Sequence, residues 1–74
     1  MTASDGEKEI AAKFFEWTSI ITDVKYRFFS KNGSTLLNVR YETYHEGEVL
    51  LQFEASSPLE CVCQLLIEVG MIDA

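Results

Sequence analysis

The chain has 74 residues, 47% of them apolar, with twelve acidic side chains against six basic ones and a net charge of −6. A chain this short supports one small core, since it buries only about 60% of its unfolded surface. The acidic balance disfavours nonspecific binding to nucleic acid or to an anionic membrane, and no apolar run approaches the roughly 20 residues of a membrane-spanning helix.

The amino terminus lacks the basic and apolar segments of a secretory leader, so the expected location is cytoplasmic. Ser4-Asp5-Gly6-Glu7 has the spacing of a capping box, in which the serine hydroxyl accepts the Glu7 amide. Ile10, Phe14, Trp17 and Ile21 then recur at helical spacing and predict an amphipathic helix ending near Ser19. Glu9 and Glu16 fall on its polar side with Lys13, and Glu9 to Lys13 is a favourable i,i+4 pair. Phe15 lies off the stripe, to flank the second helix or to stand exposed as a contact residue, and the burial tendency of aromatics favours the first. Thr22-Asp23 leaves room only for a tight link into a strand that runs back along the helix.

Residues 24–28 alternate, with Val24, Tyr26 and Phe28 on one face and Lys25, Arg27 and then Phe29 on the other. Asn32-Gly33 suits a type I′ turn, whose two central residues both need positive φ. The turn sets Phe28 against Leu37, Tyr26 against Val39 and Val24 against Tyr41. The second run, 35–44, carries its apolar row at odd positions, in agreement with that pairing. His45-Glu46-Gly47 then reads as a three-residue loop with Gly47 left-handed. This loop places Thr43 against Val49, Tyr41 against Leu51 and Val39 against Phe53. A two-residue loop would turn one apolar row to solvent.

Ser57, Pro58 and Glu60 form a helix start: an N-cap, a proline at the first helical position and a glutamate three residues from the cap. Leu59, Val62, Leu66 and Val69 form the stripe of this second helix, widened by Cys63, Leu65 and Ile67. Glu60, Gln64 and Glu68 are its polar strip, and Gly70 is the stop signal. The predicted fold is α+β, in the order α-β-β-β-α, as one domain over 1–74. Its three-stranded antiparallel meander carries both helices on one face. Trp17, Phe28, Val39, Leu51, Phe53, Val62 and Leu66 are the expected core.

The order of elements resembles that of double-stranded-RNA-binding domains. Those domains begin their second helix with lysines and carry a Gly-Pro-x-His-like first hairpin. Here the corresponding stretches are Pro58-Leu59-Glu60-Cys61 and Lys31-Asn32-Gly33-Ser34, so the RNA-contacting residues are not matched.

His45 sits in a turn with no nucleophile implied beside it, and no metal, phosphate-loop or nucleophile-elbow motif occurs. Cys61 and Cys63 point about 200° apart on a helix and can neither bridge nor share an ion. The expectation is therefore a non-enzymatic protein without a cofactor. Two surfaces are candidates for its work. One is an acidic helical layer, Glu9 and Glu16 with Glu60 and Glu68, facing a basic protein. The other is the outer sheet face, where Lys25, Arg27 and Arg40 lie among Phe29, Leu36 and Leu50. There Lys25 pairs with Arg40 and Arg40 with Gln52, and the next row is Arg27, Asn38 and Glu54. The leading expectation is a small acidic binding protein of the inhibitor, immunity or anti-defence kind found in phages and bacteria. The second is an RNA-binding-type domain using the sheet cations and Phe29 as a stacking platform. The third is a small catalytic or thiol protein built around His45 or Cys61, and a homodimer through the sheet face or the second helix is a further mode of contact.

Overall fold

A computed structural model describes residues 5–21 and 23–73. Ser4, and with it the expected capping box, lies outside the described residues, as does Thr22. The elements run α1 (Asp5–Ile20), β1 (Lys25–Lys31), β2 (Ser34–Thr43), β3 (Gly47–Ala55) and α2 (Pro58–Glu68). The strands form one antiparallel sheet in the order β1-β2-β3. Both helices pack on the face formed by the odd residues of β2, as expected.

The first hairpin follows from its turn. Asn32 and Gly33 have φ of 49° and 81°, the left-handed pair that a type I′ turn needs. Phe28 is opposite Leu37 and Tyr26 opposite Val39, as the sequence implied. Asp23, at φ 57°, makes the sharp entry into β1, a conformation that aspartate tolerates better than most residues.

The second hairpin corrects the sequence reading by two residues. Thr43 pairs with Gly47, Tyr41 with Val49, Val39 with Leu51 and Leu37 with Phe53. The loop is Tyr44-His45-Glu46, one residue earlier than expected. Its cause is the Thr43 hydroxyl, which accepts the Glu46 N–H at 2.9 Å and starts the turn. Gly47 remains left-handed, with φ 71°. A slip of two preserves parity, so the residues facing the helices are unchanged. Open space surrounds the position a Cβ would take at Gly47. Gly47→Val should therefore cost only the backbone strain of positive φ, about 1–2 kcal/mol. The expected fall in melting temperature is several degrees, and an unchanged Tm would place Gly47 outside the left-handed region.

The start of α2 is built as expected. Ser57 is the N-cap, its hydroxyl accepts the Glu60 N–H at 3.2 Å, and Pro58 opens the helix. Gly70, at φ 82°, closes it in a Schellman turn: Met71 N–H donates to the Leu66 carbonyl and Gly70 N–H to that of Ile67.

The buried core is Phe14 and Trp17 from α1, Leu37 and Val39 from β2, and Cys61, Val62, Leu65 and Leu66 from α2. Leu51 and Phe53 are partly buried against it. Two expectations fail here. Phe28 is 39% exposed and Phe15 is 68% exposed. The helical layer is too narrow to cover three strands. α2 lies over β2 and β3, while α1 rests against α2 and touches the sheet through Phe14 on Tyr26 and Trp17 on Tyr41.

Candidate functional site

Among the described residues, no helix covers the outer face of the sheet. Across it run the rows Lys25–Arg40–Leu50, Arg27–Asn38–Gln52 and Phe29–Leu36–Glu54, with Glu42 opposite Glu48 at one end. Arg40 therefore neighbours Leu50 rather than Gln52, and Glu54 lies beside Leu36 rather than Asn38. The shifted third strand also brings Glu48 to Arg40, giving an ion pair of 2.7 Å. The Arg27 guanidinium lies over the Phe29 ring, 4.7 Å from its centroid. Lys25, Arg27, Phe29, Asn38, Leu50 and Gln52 line a shallow, open depression. Lys25 and Arg27 have no ion-pair partner among the described residues.

The four carboxylates singled out on the helices are not equivalent. Glu60 is a structural anchor, because its carboxylate accepts the Ser56 N–H at 3.2 Å and the Ser56 hydroxyl at 2.6 Å. Ser56, just before the N-cap, was the signal for this in the sequence. Glu9 and Glu16 are exposed on α1 and are not ion-paired among the described residues, so the expected Glu9–Lys13 bridge does not form. Glu68 is exposed at the end of α2, near Tyr41. Burial first, then Glu46 and Glu68, push the Tyr41 phenol up from its ordinary value.

The thiols divide in the same manner. Cys61 is buried, and its S–H lies 3.3 Å from the Thr35 carbonyl that accepts it. Burial is the main cause that pushes its pKa up, against a backbone hydrogen bond at Ala55 that pulls it down. Cys63 is half-buried. Iodoacetamide should label Cys63 in the folded protein and reach Cys61 only on unfolding; equal labelling rates would contradict the packing. Both raised groups hold their protons longer in the folded state. Their stabilisation is complete below the ordinary thiol range and is lost as pH rises above about 8.5 for Cys61 and about 10 for Tyr41.

His45 lies exposed in the turn, edge-on to Tyr44 at 5.4 Å. Among the described residues no group of three or more His, Cys, Asp or Glu side chains is placed to hold a metal ion, and no helix is long and apolar enough to cross a membrane.

Fold and surfaces together define a two-layer α+β domain, with helices on one face of an open antiparallel sheet and a mixed-charge face on the other, where Lys25, Arg27 and Arg40 stand with Glu42, Glu48 and Glu54. Comparison with protein-family models, curated proteins and solved structures found no match to this chain.

Proposed function

We propose that this chain is a non-catalytic binding module whose acidic helical layer meets a basic protein. The observation that supports this reading is the acidic balance of the helices. α2 (PLECVCQLLIE) contains no basic residue, and α1 carries Lys8 and Lys13 against Asp5, Glu7, Glu9 and Glu16. Lys25, Arg27 and Arg40 lie instead on the outer sheet face, beside Glu42, Glu48 and Glu54. Glu9, Glu16 and Glu68 stand exposed on the helices, and Glu60 drops out of the working set because Ser56 occupies it. Such a layer would speed encounter with a cationic surface, such as the nucleic-acid channel of an enzyme that the module blocks, and salt would weaken the effect. The RNA-binding alternative is less well supported. Arg27 occupies one face of the Phe29 ring on which a base would stack, and Glu48 neutralises Arg40.

Immobilised protein from each of two variants provides the test, with extract of the native source as the analyte. Glu9→Gln, Glu16→Gln and Glu68→Gln together should lose the captured basic protein and make residual capture insensitive to salt. Lys25→Gln, Arg27→Gln and Arg40→Gln together should retain it. If only the sheet variant loses capture, the acidic layer is not the working surface.

A further inference from the structure

β1 is an edge strand with an open side. The pair flanking a two-residue hairpin loop exchanges both hydrogen bonds, and pairs alternate from there. Lys31, Phe29, Arg27 and Lys25 thus spend their backbone groups on β2, while Tyr26, Phe28 and Ser30 aim N–H and C=O at the free edge. On the helix side of that edge Tyr26 is 47% exposed and lies edge-on to Phe28 at 6.1 Å. Phe14 meets Tyr26 at 5.0 Å and Phe15 at 6.5 Å, which extends the uncovered aromatic strip onto α1. On the outer side stand Lys25, Arg27 and Lys31, half of the six basic residues within one seven-residue strand. None of the three has an ion-pair partner among the described residues. Natural edges are commonly blunted by prolines, bulges, cover or lysines. Among the described residues this one has only the cations, and cations repel some strands while attracting others.

We propose that the free edge of β1 accepts an extended segment of another protein, with carboxylates alternating with apolar side chains, as a fourth strand of the sheet. The segment's backbone would pair with Tyr26, Phe28 and Ser30, its apolar side chains would cover the aromatic strip, and its carboxylates would meet Lys25, Arg27 and Lys31. A second β1 is a poor occupant. Centred on Phe28, antiparallel self-pairing sets Lys25 against Lys31 of the other copy; centred on Arg27, it sets arginine against arginine. The β3 of a second copy has the required alternation, with Glu48 and Glu54 outward. With helices kept on one side, it would pair in parallel and generate an open-ended chain rather than a closed complex. This inference is independent of the acidic-layer reading, since it uses the opposite charge and a different edge.

The probe is a labelled peptide of alternating glutamate and valine, with its lysine–valine counterpart as control, followed by fluorescence anisotropy and by amide exchange in NMR. The glutamate peptide should bind at least tenfold more tightly than the lysine peptide. Binding should newly protect the amides of Tyr26, Phe28 and Ser30, while those of Lys25, Arg27 and Phe29 are protected beforehand. Ser30→Pro removes a free-edge donor without breaking the β1–β2 ladder and should weaken binding at least tenfold. If that variant folds poorly, the exchange pattern of the unmodified protein decides alone. Equal binding of the two peptides, no binding, or protection elsewhere would overturn the proposal. So would concentration-dependent growth of open-ended oligomers without peptide, which assigns the edge to β3 of another copy.

Discussion

Leu66→Ala is expected to lower the free energy of unfolding by about 2–5 kcal/mol. Leu66 is fully buried and sits with Leu65, Cys61, Leu37 and Val39 where α2 lies on the sheet. Truncation removes apolar contact and leaves a cavity that a helix pinned at both ends cannot close. The N-cap at Ser57 and the Schellman turn at Gly70 hold α2 in place. A domain of 74 residues has roughly 4–11 kcal/mol to lose, so this one change takes a large share of it. Urea denaturation followed by circular dichroism measures the loss. Ile67→Ala is the control, because Ile67 is exposed on the same helix and its truncation should cost far less. Equal costs at the two positions would show that α2 does not use the face assigned to it.

Strand parity, turn chemistry and helix caps made most of this fold legible in the sequence. Asn32-Gly33 alone specified the first hairpin, and Ser57-Pro58 with Gly70 bounded α2. The second hairpin departs from its sequence signal because a glycine at position 47 implies the end of the loop, whereas the Thr43 hydroxyl starts the turn one residue earlier. Threonine is a common strand residue, and its capture of the Glu46 N–H leaves no periodic signature. Alternation then protected the prediction of faces but not of neighbours. The Arg40–Glu48 ion pair was invisible for that reason. Phe15 and Phe28 failed for a different one. Apolarity tells which side a residue faces, while cover depends on how far two helices reach across three strands. The uncovered edge at β1 is a property of that tertiary shortfall, and no window of sequence contains it.

Trp17→Ala should be as damaging as the loss of Leu66, about 3–5 kcal/mol, through a different element. Trp17 is 3% exposed and stands edge-on to Tyr41 at 5.2 Å. Among the described residues, Trp17 and Phe14 are the buried side chains that α1 gives to the core. Removing the indole leaves this segment held by one buried ring, by the half-buried Ile10 within α1 and by the half-buried Ile21 just past its last residue. Two outcomes are physically distinct: α1 could detach alone, or the whole domain could unfold with it. The second is expected, because the meander with α2 alone is a smaller unit, near the length at which a single core stops sufficing. Amide exchange in Trp17→Ala should therefore accelerate together in α1 and in the central strand β2. Trp17→Phe, which keeps an aromatic ring against Tyr41, should recover much of the loss. If β2 keeps its protection while α1 loses it, α1 is an independently released element. In that case Glu9 and Glu16 can be removed from the surface without unfolding the sheet, and binding of a basic partner would be lost while the β1 edge stays intact.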